Sequence, residues 1–534
     1  MKKNFYLLLL FTAWLGHATA QTASELKQAY QELNVFEDPL ATQLKKGLKK
    51  ADLKKINDEK IRTVAEQIYA GQYDKNYRLA TYNAVLSPTT LGEQLSIGDG
   101  YSKYENITGI YLPIGKHIVL VDGIQPGKDI KLMVPNWDRR APEGTDPTKD
   151  PKGWGIIKQD FALRNGVNII DVKEFGGLAY IGYYSEKPEE EKPIDVHFIG
   201  AAVNGYFDIA KNNDKDWNNL VDHAVYPIVD AIGKHIQIAY PVEAIKKYAY
   251  GKGVELISNY DSLVYRQHRI LGLIKYNKVP KNRILARVNY NYYMFRDGDG
   301  VAYMGAKEGY AMGMVVNPAS VIKGDPCWGF SHEVGHVHQT RPYLSWGGLG
   351  EVSNNIFSLY VTTSFGNRSR LSEQKGYAKA RESIYGKGKS YLQDPDVFSR
   401  LVPFWQLQLY FTGKGNNPGF YPDLFEAFRK QAAAANANRG GARRGGPRRG
   451  DFGLNAQNPA VHQLNFVKTV CEIGKVDLTS FFENYGFFYV GEFKYDDYGN
   501  YTYTMTQEMV NECKAAISKM NLPKPVVDLS TLED

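Results

Sequence analysis

The 534-residue sequence is poor in cysteine: only Cys327, Cys471 and Cys513 are present. Three scattered cysteines are too few for a disulfide framework or a thiolate metal cluster. One bridge between Cys471 and Cys513 fits their number, but buried thiols are the interpretation we favour. The fold must then be stabilised mainly by apolar burial, and a chain of this length is expected to divide into two to four domains.

The sequence also lacks hydrophobic runs long enough to span a bilayer. The apolar stretch at residues 5–14 follows Lys2 and Lys3 and precedes a small-residue site at residues 18–20. This pattern is typical of a secretory signal peptide over residues 1–20, with cleavage near Ala20. We therefore expect a secreted or periplasmic mature protein without an integral membrane segment; an uncleaved anchor is the alternative.

A basic excess spread over the chain is missing as well. The formal net charge is +7, but five arginines lie within residues 439–450, which contain no acid: Arg439, Arg443, Arg444, Arg448 and Arg449. A local excess does not create a nucleic-acid-binding face on the folded part, so we predict no nucleic-acid partner. Residues 431–451 are predicted to be a low-complexity surface insertion; an Arg-Gly RNA-binding tract is the alternative.

Hydrophobic periodicity predicts a multidomain α+β fold. Residues 21–95 show helical spacing and predict an N-terminal helical hairpin. Residues 96–204 alternate with a period of two and predict a β-sandwich-like accessory module. Residues 205–534 mix strands and helices and end in a mainly helical part with aromatic strands near residues 487–503. The predicted strands of the module are 107–112, 117–121, 130–134, 167–172, 178–184 and 196–199.

One helix of the third region is strongly marked in the sequence. Asp325 is a favourable N-cap and Pro326 suits the first helical position, so a helix is expected to begin there. It should end before Pro342, which cannot continue a helix. A strand is predicted shortly before it, over residues 309–316. Its glycines, Gly309 and Gly313, would let an extended substrate approach closely; an internal strand with packing glycines is the alternative.

The marked helix carries the H-E-x-x-H pattern of a metal site. His332 and His336 are four residues apart and project from one helix face, where both imidazoles can reach one ion. Glu333 lies beside them, placed to act as a general base on a metal-bound water. The alternative, two buried polar histidines, leaves two imidazoles and a carboxylate needing separate partners. The pattern therefore predicts one Zn²⁺ per chain.

A third ligand is expected from the segment that follows. The glycine-rich turn at residues 347–350 precedes Glu351, which opens a second helical pattern. A helix returning antiparallel over this turn would bring Glu351 to the metal, leaving the fourth position open for water. Asn355, one turn further on, would orient a histidine ligand through a hydrogen bond.

Residues 328–339 and 350–360, which contain these motifs, resemble the enhancin-like metallopeptidases, peptidase family M-sixty. The resemblance covers about residue 205 to the C-terminus, and the preceding module is similar to accessory regions of bacterial members. It implies a gluzincin-type zinc metallopeptidase domain over residues 205–534 that hydrolyses mucin-like, O-glycosylated proteins. His332, His336 and Glu351 would be the zinc ligands and Glu333 the base.

Further site residues are expected on the same grounds. Gluzincins usually stabilise the transition state with a Tyr or His from the later subdomain, so Tyr485 and Tyr489 are candidates. Arg341, Tyr343 and Trp346 lie between the ligands in sequence and are candidates for binding substrate sugars. Each of these aromatic residues could equally be a packing residue.

Two other functions compete with the glycopeptidase hypothesis. The first is a non-catalytic glycan-binding or adhesion protein with a vestigial zinc site, which would have no need of Glu333. The second is a peptidase for plain peptides or cell-wall crosslinks, which only substrate profiling can separate from a glycopeptidase.

Overall fold

A computed structural model describes residues 23–305, 311–438 and 458–534. The predicted signal peptide and residues 439–451 of the predicted insertion lie outside the described residues, and residues 431–438 of that insertion form the end of a helix. The architecture is multidomain α+β, which confirms the predicted fold class. All three cysteines are free and buried, as the favoured interpretation required. Within the described ranges, no helix combines the length and apolarity needed to cross a membrane.

The described part of the N-terminal region contains four helices joined by turns and two short strands. Its helices bury one apolar face each; in α3, Asp58 caps the N-terminus by accepting from the backbone of Ile61, and Ile61 and Val64 are buried. The prediction was wrong for residues 79–86, which form two strands before α4, because β1 pairs with the sandwich. The elements are α1 Ala23–Glu32, α2 Lys50–Leu53, α3 Glu59–Tyr69, β1 Leu79–Tyr82, β2 Val85–Leu86 and α4 Pro88–Leu95.

The next region is a sandwich of two antiparallel sheets, and every predicted run overlaps a strand. The strands are β3 Asn106–Leu112, β4 Gly115–Asp122, β5 Lys131–Pro135, β6 Lys158–Ala162, β7 Gly166–Val172, β8 Gly177–Gly182, β9 Tyr184–Ser185, β10 Ile194–Phe198 and β11 Ala202–Val203. One sheet has the order β1-β10-β4-β7 and the other β11-β3-β8-β5-β6. Ile110, Val119 and Leu132 are among the residues that fill the space between them.

Both outer faces of the sandwich are also covered. Ile118 and Leu120 of β4 pack with the N-terminal helices. On the other sheet, Ile107 and Tyr180 join the large core of the third region. The Tyr180 hydroxyl donates to Asp230 Oδ2 across this contact at 2.6 Å. The accessory module is therefore packed into the protein rather than tethered to it.

A mixed six-stranded sheet opens the third region, with the order β12-β13-β14-β15-β17-β16. Its strands are β12 Tyr206–Asp208, β13 Ile228–Ile232, β14 Ile236–Pro241, β15 Ile284–Asn289, β16 Met294–Asp297 and β17 Gly300–Met304. Strand β16 is at the edge and runs antiparallel to β17. The surrounding helices are α5 Asp214–His223, α6 Val242–Tyr248, α7 Gly253–Ile270, α8 Ala311–Val316 and α9 Pro318–Val321.

The prediction of a strand over residues 309–316 was wrong. Residues 311–316 form helix α8, and residues 306–310 lie outside the described part of the chain. The buried residues of α8 are Ala311, Met312, Val315 and Val316, a helical spacing that the short apolar run concealed. Gly313 faces the ring of Tyr248 instead of a substrate. The strand at this edge of the sheet is β16.

The marked helix, α10, spans Gly324–His338, and α11 spans Asn354–Ser364. Helix α10 begins one residue before the predicted cap, with Lys323 at the N-cap position. The backbone of α10 is tied to α7, because Gln267 Nε2 donates to the carbonyl of Ser331 at 2.8 Å. The helix is thus fixed immediately before its first histidine.

The C-terminal part is mainly helical, as expected, and ends with an aromatic hairpin and a helix. Its helices are α12 Arg370–Glu373, α13 Gly376–Ser383, α14 Val397–Thr412, α15 Phe420–Asn438, α16 Pro459–Gly474, α17 Thr479–Asn484 and α18 Gln507–Ser518. The hairpin consists of β18 Gly491–Asp496 and β19 Asn500–Met505, paired antiparallel. Its tip reaches the segment between α10 and α11.

Gly335 should be sensitive to the smallest substitution, because α10 and α11 meet there. A Cβ added at Gly335 would lie 2.5 Å from the carbonyl oxygen of Asn354, and backbone cannot yield as a flexible side chain can. We expect Gly335→Ala to lower the free energy of unfolding by about 1–3 kcal/mol, measured by chemical denaturation. Gly298→Ala is the matched control, since the nearest atom to its added Cβ is Lys103 Nζ at 3.7 Å. Equal stabilities of the two variants would contradict the argument.

Candidate metal centre

Two histidines and a glutamate converge between α10 and α11. His332 Nε2 lies 3.1 Å and His336 Nε2 lies 3.5 Å from Glu351 Oε2. The ligand atoms of the three residues all lie within 4.8 Å of one another. Glu351 is in the turn that precedes α11, not in the helix itself as its sequence pattern indicated. Two imidazoles and one carboxylate form a donor set that fits a catalytic zinc ion.

Hydrogen bonds orient both imidazoles for this role. His332 Nδ1 lies 2.8 Å from Asn355 Oδ1, and His336 Nδ1 lies 3.1 Å from Gln339 Oε1. An amide oxygen accepts from Nδ1–H, which favours the tautomer that leaves the Nε2 lone pair available to a metal ion. Asn355 also donates to the Glu351 carbonyl at 2.8 Å and so links two of the candidate ligands.

Gln339 was not identified from the sequence. Its position three residues after His336, on the same helical face, is the pattern that could have revealed it. Its Nε2 donates to the Gly350 carbonyl and to Ser353 Oγ, both at 2.8 Å. Gln339 therefore connects a histidine to the turn that carries Glu351.

The Asn354 amide also contacts the histidine pair. Its Nδ2 lies 3.0 Å from His336 Nε2 and 3.2 Å from His332 Nε2. The amide thus competes with a metal ion for the same lone pairs. The side chains of His332, His336 and Glu351 keep 21%, 13% and 30% of their surface exposed, so the centre is reachable from solvent.

Glu333 is next to the histidines and almost enclosed, with 7% of its surface exposed. Burial raises the pKa of its carboxyl group above the ordinary range, while His332 and His336 oppose that shift. A carboxylate with a raised proton affinity beside two metal-ligand candidates can accept and return a proton.

The C-terminal hairpin holds the turn that carries Glu351. Asp497 Oδ2 accepts from the backbone nitrogens of Gly348 at 2.7 Å and Gly350 at 2.9 Å. The Tyr498 hydroxyl donates to Glu351 Oε1. A Cβ at Gly350 would lie 2.8 Å from Asp497 Oδ1, so this approach requires glycine. The hairpin tip and the glycine turn are therefore fitted to each other.

Neither tyrosine proposed from the sequence has its hydroxyl in this cluster. Tyr485 is completely buried and donates to Gln406 Oε1 at 2.7 Å. The Tyr489 ring packs against Phe493, and its carbonyl accepts from Tyr503. Tyr498 is the tyrosine that contacts a candidate ligand. The sequence indicates only that Tyr498 lies in a turn. It does not show that this turn contacts residues 347–351, because that contact is long-range.

Of the three candidates for sugar binding, the two aromatic residues pack against other rings and Arg341 lies near the metal cluster. Trp346 is 1% exposed and donates to the Tyr391 hydroxyl at 3.2 Å, so it is a core residue and cannot present a face to a sugar. The Tyr343 ring stacks on Phe428 with centroids 5.7 Å apart. Arg341 is half-buried and donates to Gln339 Oε1 at 2.9 Å. The same Gln339 oxygen contacts His336.

The chain is similar to proteins of a known family. A family model described as "Peptidase M60, enhancin and enhancin-like" matches residues 200–486. TRPM8 channel-associated factor 3 from Rattus norvegicus is 21% identical over 307 residues, covering 56% of this chain and 31% of that protein. The chain thus spans about a third of the length of this curated relative.

Solved structures show the same fold. A metallopeptidase from Bacteroides thetaiotaomicron has a TM-score of 0.76 and 23% identity, covering 97% of this chain and 83% of that chain. A metallopeptidase in complex with Tn antigen has a TM-score of 0.70 and 23% identity, covering 87% and 81%.

The family model covers more than half of the chain, and its range includes both histidines, Glu333 and Glu351. The chain therefore belongs to the peptidase M60 family, enhancin and enhancin-like.

Proposed function

We propose that this protein is a zinc-dependent endopeptidase with His332, His336 and Glu351 as metal ligands and Glu333 as general base. The observation that carries the proposal is the convergence of three ligand atoms within 4.8 Å, beside a nearly enclosed carboxylate. Bound zinc would polarise a scissile carbonyl and acidify the attacking water. Glu333 takes the proton of that water and returns it to the leaving amine.

We further propose Tyr498 as the group that stabilises the developing oxyanion, in place of Tyr485 and Tyr489. Desolvation of the hydroxyl and then its contact with Glu351 hold the pKa of its phenol well above the ordinary range. Like any phenol, the group is neutral near neutral pH and can donate a hydrogen bond to an oxyanion.

A pair of substitutions tests the metal and base roles. Glu333→Gln should lower kcat by roughly 10²–10⁴-fold and keep zinc bound, because the carboxylate moves protons and is not a ligand. Glu351→Ala should lose zinc, because it removes a ligand. Metal content by mass spectrometry and cleavage of a protein substrate check both. Equal loss of zinc from the two variants would show that the roles are assigned wrongly.

Asp497 should govern zinc retention although it is not a ligand. Asp497→Ala removes the acceptor of two backbone N–H groups and frees the turn before Glu351, so we expect zinc affinity to fall about 10–100-fold. Competition with a chelator measures this. Glu492→Ala, which removes an exposed acid of β18, is the control. If Asp497→Ala binds zinc as tightly as the wild-type protein and melts at the same temperature, Asp497 does not hold the turn that carries Glu351.

We propose O-glycosylated, mucin-like proteins as the substrates. Family membership and the fold shared with a metallopeptidase in complex with Tn antigen support this substrate class. We also propose that the enzyme acts outside the cytoplasm, on the basis of the N-terminal pattern. A non-catalytic adhesion protein is the competing function, and the presence of Glu333 beside a complete ligand set favours the enzyme.

A matched pair of peptides tests the substrate class. A sugar bound by the cleft supplies binding energy that can align the carbonyl, so its removal should lower turnover as well as affinity. We expect kcat/KM for a threonine O-glycopeptide to exceed that for the bare peptide by about tenfold or more. Equal or faster cleavage of the bare peptide would refute the glycopeptidase hypothesis and leave the zinc peptidase intact.

A further inference from the structure

An exposed pair of aromatic rings lies where the accessory module meets β16, the edge strand of the six-stranded sheet. Trp154 is 55% exposed. Its ring stacks on Tyr292 with centroids 4.2 Å apart and planes inclined by 22°. The edge of Phe295 supports it from the side at 4.9 Å. We call Trp154 and Tyr292 the aromatic shelf. Two contacts hold the Trp154 ring while more than half of it faces solvent.

Contacts between the two regions fix the loop that carries Trp154. Asn291 Nδ2 donates to the Pro147 carbonyl at 2.8 Å, and the Tyr292 hydroxyl donates to the Thr148 carbonyl at 3.3 Å. Arg139 pairs with Asp150 within the loop. Asp150 Oδ1 in turn accepts from the backbone of Lys152 at 2.9 Å. The ring of Trp154 is therefore presented at a defined place.

The shelf borders the strand that leads to the metal centre. Met294 adjoins Phe295 on β16, and its sulfur lies 3.0 Å from where a Cβ on Gly329 would stand. Gly329 precedes His332 by three residues on α10, a rise of about 4.5 Å. Strand β16 therefore contacts Trp154 through Phe295 on one face and the metal helix through Met294 on the other. An extended substrate lying along edge strand β16 would pass the shelf before or after the scissile bond.

We propose that Trp154, supplied by the accessory module, forms with Tyr292 a subsite for a pyranose ring of a glycan on the substrate, away from the scissile bond. The proposal rests on the proposed peptidase function. A pyranose presents a flat face of C–H groups that packs on an aromatic ring, and one face of Trp154 is already covered by Tyr292. The module then has a direct role in substrate selection.

Binding measurements on the zinc-loaded full chain carrying Glu333→Gln test the subsite without cleavage. The probes are one peptide with an O-linked disaccharide on a single threonine and the same peptide without it. Adding Trp154→Ala should weaken glycopeptide binding about tenfold and leave bare-peptide binding unchanged. Trp154→Phe, which keeps a ring, should recover part of the affinity. Tyr69→Ala removes an aromatic residue that is 50% exposed on α3 and is the matched control.

Tryptophan fluorescence gives a second measurement. The glycopeptide should change the emission of the Glu333→Gln protein, and Trp154→Phe should remove that change. Glycopeptide affinity unaltered by Trp154→Ala would overturn the proposal, as would equal weakening of both peptides, which would indicate a peptide side-chain subsite. Failure of the peptidase function itself would appear differently, as zinc-independent or absent cleavage of both peptides by the wild-type protein.

Discussion

The close approach of α10 and α11 at Gly335 sets where Glu351 can stand relative to the two imidazoles. With no side chain at this position, the Asn354 carbonyl can lie against the helix that carries both histidines. Asn354 and Asn355 then reach the imidazoles, and Glu351 approaches both Nε2 atoms. A larger residue would separate the helices and so displace Glu351, Asn354 and Asn355 from the imidazoles.

The turn that delivers Glu351 depends on a distant part of the chain. Its glycines have no side chains to hold them, so the carboxylate of Asp497 and the hydroxyl of Tyr498 do so from the hairpin tip. A flexible turn permits the close approach, and charge-assisted hydrogen bonds limit its freedom. Metal binding and the C-terminal fold are thereby coupled, since loosening the hairpin loosens a ligand.

The accessory module, which precedes the metal motif in sequence, packs against the six-stranded sheet of the third region. Its outer sheet shares a core with the catalytic sheet, and a buried contact between Tyr180 and Asp230 crosses the boundary. Burial raises the pKa of Asp230 to about 7, while hydrogen bonds from Tyr180 and Gln237 oppose the shift. Such a junction is specific and rigid, which lets the loop with Trp154 occupy a fixed position beside β16.

The sequence by itself determined the α+β class, the strands of the sandwich and the motif residues His332, Glu333 and His336, because these depend on local periodicity and spacing. It also placed Asn355 one turn after Glu351. Only the tertiary structure decided that Trp346 and Tyr485 are buried and that residues 311–316 are helical. It likewise decided that Tyr498, not Tyr489, contacts Glu351. The reason is physical: contacts between residues nearly 150 positions apart, such as Tyr498 with Glu351 at a separation of 147, leave no periodic trace in the chain.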